Sequence, residues 1–147
     1  MAFSLFAIVI VLFAIMYEAR NSIWKKLSSR YSTNWKYMKW FGAETLYLWD
    51  ATNSSWFNQI NIEVRDNGLA IYFPFFKRYM PSILIPWDDI EVQGKVHKGP
   101  IEKLRISFVE RLQIRVVTTE VYLAISYAHK FNIDQIQKNK INGVRLE

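Results

Sequence analysis

Three carboxylates, Asp88, Asp89 and Glu91, fall within four positions directly after the apolar run "ILIPW". Carboxylates this close can share a proton in acid–base chemistry or hold a divalent cation. On a strand, however, adjacent Asp88 and Asp89 point to opposite faces, and Glu91 shares a face with Asp89 alone. No Asp/Asn-rich calcium loop surrounds them. A solvated strand end is therefore the favoured reading. An enzyme using the carboxylates near Trp87 is the alternative, and the setting of Trp87 separates the two. A buried indole means core, whereas an indole lining an open pocket with Asp88 or Asp89 means chemistry.

The other chemistry-bearing residues are sparse. His97 sits in the basic stretch "KVHKGP", and His129 has no partner at an H-x-x-x-H spacing. The chain has no G-x-S-x-G elbow, no G-x-G-x-x-G and no P-loop, so the usual cradles for a nucleophile or a nucleotide phosphate are missing. The absence of cysteine removes disulfides, thiolate nucleophiles and thiolate zinc sites. No catalytic residue, metal ligand or cofactor is assigned on this basis, and the expected class is a non-catalytic interaction module. Asn53-Ser54-Ser55 matches a glycosylation sequon, without consequence in a cytoplasmic bacterial domain.

A chain of 147 residues is one modest domain, or a smaller domain plus an anchor. Its net charge of +6 is uneven, since residues 1–44 carry +4 and the remaining 103 residues only +2. Basic charge concentrated behind an apolar N-terminus points to a membrane surface before nucleic acid.

"MAFSLFAIVIVLFAIMY" carries no charge from Met1 to Tyr17. At about 1.5 Å per residue it reaches roughly 25 Å, the short end of a bilayer span. A core helix apolar on every face does not suit so small a domain. A cleaved signal peptide lacks its basic n-region and its A-x-A site, because Met16 and Tyr17 occupy the place of small residues. The expectation is a signal-anchor helix over 1–19. Six Lys/Arg follow it and none precedes it, so the positive-inside tendency gives an N-out, C-in single pass in a bacterial inner membrane. No G-x-x-x-G in the span advertises a dimer face.

Residues 20–43 read as a basic, aromatic, amphipathic juxtamembrane segment. Asn21 or Ser22 can cap a helix in which Trp24, Leu27 and Tyr31 share a face. Trp24, Lys25, Lys26, Arg30, Trp35, Lys36, Lys39 and Trp40 are expected at the headgroup layer, with rings at the boundary and cations on lipid phosphates. Trp35, Tyr37, Trp40 and Phe41 can equally pack on the domain that follows.

Residues 44–147 read as short strands bounded by turn residues. "TLYLWD" (45–50) is a first strand, and "NQINIEVR" alternates as a half-buried one. Asn67-Gly68 makes a tight turn into "LAIYFPFF", where Pro74 implies an edge or a bulge. "KLRISFVE" and "LQIRVVTT" suggest a hairpin turning at Glu110-Arg111. "VYLAI" is a last strand, and Ser126 caps a final helix that turns Tyr127, Phe131 and Ile136 to the sheet. The fold class expected is α+β, mostly antiparallel, as a barrel-like module.

The stretches "WKKLSSRY" (24–31) and "NGLAIYFPFFKRYMPSILIPWDDI" (67–90), with the paired strands at 103–117, resemble a family of small bacterial single-pass membrane proteins of uncharacterised function. The strand order with its terminal helix also looks like bacterial pleckstrin-homology-like (PH-like) domains. The resemblance implies an N-terminal transmembrane helix and a PH-like β-barrel or sandwich closed by a C-terminal helix, without a known activity. Lipid-binding members of that class clamp headgroup phosphates with loop cations, which by analogy places Lys77, Arg78, Lys95 and Lys98 against anionic lipid or a partner. A His-Pro frequent in the family before the I-P-W strand is Met80-Pro81 here, so no histidine role carries over. The implied partners are anionic membrane lipids and a membrane or cytoplasmic protein, not nucleic acid. An accessory subunit of a larger membrane complex is a second alternative.

Overall fold

The computed structural model describes residues 2–33, 44–72, 81–98 and 109–146. It opens with helix α1, Ala2–Tyr31. No glycine or proline interrupts those 30 residues, so nothing in the backbone chemistry stops the helix once it has started. Strands β1 (Glu44–Trp49), β2 (Ser54–Arg65), β3 (Gly68–Tyr72), β4 (Ile83–Pro86), β5 (Ile90–Lys98), β6 (Val109–Val116) and β7 (Val121–Ser126) follow. Helix α2, Lys130–Leu146, comes last.

The strands form one antiparallel sheet in the order β4-β3-β2-β1-β7-β6-β5. Strict alternation builds its inner face. Leu46 and Leu48 of β1, Leu112 and Ile114 of β6, and Leu123 and Ile125 of β7 are all fully buried there. Each such side chain is worth about 1.5–3 kcal/mol of burial. Ile23, Trp24, Leu27 and Tyr31 of α1 and Ile133 of α2 complete the same core. The opposite face is aromatic and basic. Tyr47 meets Trp56 edge-on at 4.4 Å, Arg111 lies 5.4 Å from the Tyr47 ring, and Trp49 stacks on Tyr122 at 5.7 Å.

Several expectations need correction. Among the described residues no helix is long and apolar enough to cross a membrane. That finding overturns the signal-anchor over 1–19, and with it the N-out single pass and the inner-membrane placement with a cytoplasmic C-terminal domain. The physical reason is length. The uncharged run ends at Tyr17, roughly 25 Å along the axis against a hydrocarbon core of about 30 Å, and Glu18 and Arg20 follow in the same helix. Nor does a second helix start at Asn21 or Ser22, because α1 runs through both.

The closed barrel or sandwich is also replaced, by an open sheet with β4 and β5 at its two edges. The stretch "ILIPWDDIEV" is not one strand. A 3-10 turn at Trp87–Asp89 ends β4, and β5 begins directly after it with β6 as its partner, so the sheet curls and its two end strands come together at this turn. No turn occurs at Glu110-Arg111, since both lie inside β6. Tyr127 and Ile136 pack against the core as expected, beside fully buried Ile133, while Phe131 is 69% exposed. Ser126 caps the 3-10 turn Tyr127–His129 that leads into α2, its hydroxyl accepting from the Ala128 N–H at 3.4 Å.

The exit of α1 is bound to the β4 edge. The Thr33 N–H donates to the Ser82 carbonyl at 2.9 Å, and Ser32 bridges to Ile83. At the other edge, the β5–β6 register shifts between Val92 and Gly94, and Gly94 takes a φ of +115°.

Candidate functional site

The three carboxylates do not converge. Asp88 is exposed and accepts from the Lys140 ammonium of α2 at 3.1 Å. Glu91 accepts from Arg115 of the adjacent strand at 3.1 Å. Asp89 receives the Tyr31 hydroxyl at 2.7 Å and the Thr118 hydroxyl at 2.8 Å, and its carbonyl accepts from the Val117 N–H at 2.9 Å. Trp87 is 5% exposed, and its indole N–H donates to the Arg65 carbonyl at 2.7 Å. Its ring belongs to the core, and each acid beside it ties two elements together.

The Asp89 tie closes the end of α1 onto the sheet. The Tyr31 and Thr118 hydroxyls hold the Asp89 carboxyl below its ordinary range. Burial, then the bond to Asp89, raises the Tyr31 phenol. A depressed folded-state carboxylate contributes stability that is present above the unfolded value of about 4 and is lost as pH falls through the folded value. A raised phenol contributes stability present below about pH 10 and lost as pH rises through its folded value. Tyr31→Phe keeps the ring but removes the donor, and is expected to cost about 1–3 kcal/mol near neutral pH. Urea denaturation of both proteins from pH 3 to 8 checks this, because the difference should shrink toward the acid end. A difference constant with pH would show that the bond does not depend on the charge of Asp89.

The histidines have separate settings. His97 is exposed on β5. His129 pairs with Glu44, whose second oxygen accepts the Ile62 N–H at 3.1 Å, joining the start of α2 to β1 and β2. Among the described residues, no group of three or more His, Asp or Glu is placed to hold a metal ion.

The basic and aromatic candidates divide. Trp24 is not at a surface. It is 1% exposed, meets Phe57 edge-on at 6.4 Å and donates its indole N–H to the Pro81 carbonyl at 3.2 Å. Lys25, Lys26 and Arg30 lie on the exposed side of α1. Lys26 is 3.8 Å from Asp50, and the Arg30 guanidinium lies 5.8 Å from the Tyr31 ring. Lys95 is in β5, not in a loop, where it pairs with Glu110 at 2.8 Å and lies 4.9 Å from the Tyr127 ring. Lys98 closes β5, and its side chain lies outside the description. Trp35, Lys36, Lys39, Trp40, Lys77 and Arg78 lie outside the described residues.

What sequence reasoning missed is that the apolar run and the amphipathic stripe belong to one helix, α1, and that the stripe packs on the sheet. Residues 22–31 bury one stripe, Ile23, Trp24, Leu27 and Tyr31, in the core. Residues 3–14 are exposed at every position. Phe3 is 91% exposed, Phe6 66% and Phe13 70%. An apolar arm thus projects from a helix whose far half is fixed to the sheet. The signal available for one continuous helix was the lack of any glycine or proline between the two parts. Comparison with family models, curated proteins and solved structures finds no match to the chain.

Proposed function

We propose that the protein is a non-catalytic docking module, which presents the apolar arm of α1 to a protein partner. The observation that carries this reading is the exposure of residues 3–14 on all sides of a helix that is anchored at its other end. A helix apolar all round is buried either inside a larger protein assembly or in a bilayer. Among the described residues no helix is long and apolar enough for the second, so a protein surround is favoured. Exposed apolar area on this scale marks an interaction surface, and a rigid helix entering a groove pays little ordering entropy on binding. The sheet's role is to fix the arm's direction. The Tyr31–Asp89 and Trp24–Pro81 bonds and the Ser32–Ile83 bridge hold the helix at its base.

Photo-crosslinking of the full chain in cells tests the reading. With a benzophenone amino acid in place of Phe6 or Phe13, protein adducts are expected. With the same group at exposed Gln93 of β5, they are not. Labelling of lipid alone from the α1 positions, or equal adducts from all three, would sink the proposal.

A further inference from the structure

The arm has an internal period. Leu5-Phe6-Ala7-Ile8 recurs seven residues later as Leu12-Phe13-Ala14-Ile15. On a helix a seven-residue repeat returns the same side chains to nearly the same face, the geometry of helices packed side by side with knobs in holes. A fluid apolar solvent imposes no such period. The repeat also yields two complementary seams. Phe3, Phe6, Ile10 and Phe13 fall at spacings of three, four and three, and form a bulky one. Ser4, Ala7, Val11 and Ala14 fall at the same spacings and form a small one. The segment therefore carries both the knobs and the shallow side that would receive them.

We propose that the arm's partner is a second copy of this chain, packed antiparallel along residues 3–14. This rests on the reading of the arm as the docking element. Direction follows from charge and bulk. Arg20, Lys25, Lys26 and Arg30 all lie on the sheet side of the arm. A parallel pair would bring both basic clusters and both sheet domains together, whereas an antiparallel pair sets them at opposite ends. Full overlap of the two segments places Ala7 of one copy against Ile10 of the other, small seam against bulky seam. Because apolar side chains surround the arm, the same contact can recruit a further pair and close a four-helix bundle.

The chain has no cysteine, which makes the test direct. Ala7→Cys and Ile10→Cys chains, differently tagged and co-expressed at full length, are oxidised with diamide. The mixed disulfide is expected, with little of either self-disulfide. An Ala7→Cys self-disulfide in register would overturn the antiparallel arrangement. Sedimentation of the unmodified chain should show a dimer or tetramer, and Phe6→Glu with Phe13→Glu should weaken assembly roughly tenfold or more. A chain that is monomeric at all concentrations and forms no disulfide overturns self-association. In that case, photo-crosslinks from Phe6 to a different protein leave the docking role standing, and labelling of lipid alone removes both.

Discussion

Trp24→Ala is expected to cost about 3–5 kcal/mol, the range for removing a buried large aromatic side chain, and to free the base of α1 from the sheet. Trp24 is among the largest fully buried side chains, and it spans the junction between the helix and the β4 edge. Removing it empties the space beside Phe57 and leaves the Pro81 carbonyl without its indole donor. The remaining contacts of the helix base, Ile23, Leu27 and Tyr31, cannot close a hole of that size without shifting the helix. Trp24→Phe separates the two contributions. It keeps most of the apolar volume and should lose less, about 1–3 kcal/mol, chiefly from the unpartnered carbonyl. Urea denaturation gives the totals, and native-state hydrogen exchange over residues 23–31 locates the loss. If Trp24→Ala left those amides as protected as before, the helix base would be held by something other than this side chain.

The second large effect is expected at Gly68. A Cβ there would lie 2.3 Å from the Ile85 carbonyl oxygen and 2.9 Å from its carbon. Both are backbone atoms of β4, so no rotamer change relieves the clash. Gly68→Ala must push β4 away from β3, and through β4 disturb the turn that seats Trp87 and Asp89. A loss of about 3 kcal/mol is expected, at the upper end for overpacking. Gly94→Ala is the comparison. Its Cβ would meet nothing within 4 Å, and only the positive φ resists it, so the loss should be about 1–2 kcal/mol. Thermal or urea denaturation of the two variants ranks them. Equal losses would mean that β3 and β4 separate without cost at Gly68.

How far the sequence made this legible differs from element to element. Asp66-Asn67-Gly68 and the alternation at Ile60, Ile62 and Val64 marked the β2–β3 hairpin, because turn chemistry and period-two burial are local properties, but the turn residues are Asp66 and Asn67, and Gly68 already pairs with Arg65. The stripe through Trp24, Leu27 and Tyr31 marked a buried helix face, but periodicity does not say what the face touches. Headgroups and a sheet select the same spacing, and the sheet won. Ile23 could have pointed that way, since it widens the stripe to the breadth that a core wants. Asp88 and Asp89 were assigned to strand alternation because nothing local marks a 3-10 turn between two strands. Only the tertiary pairing of β4 and β5 with different neighbours reveals it. The roles of Asp89 and Glu44 were equally hidden. Their partners Tyr31 and His129 are 58 and 85 residues away in the chain.

The irregularity at Gly94 bears on how this molecule behaves when crowded. Among the described residues β5 pairs only with β6, and a margin left unpaired is of the sort that templates cross-β growth. The extra residue between Val92 and Gly94 breaks the run of evenly spaced amides on that margin, and the solvent-facing Glu91 and Lys95 add charge to it. The Ser32–Ile83 bridge occupies the opposite margin. A protein that gathers copies by a helix raises their local concentration, and with it the hazard of fibrillar stitching between sheets. A kinked, charged β5 and a β4 that is bridged at Ile83 both oppose such stitching.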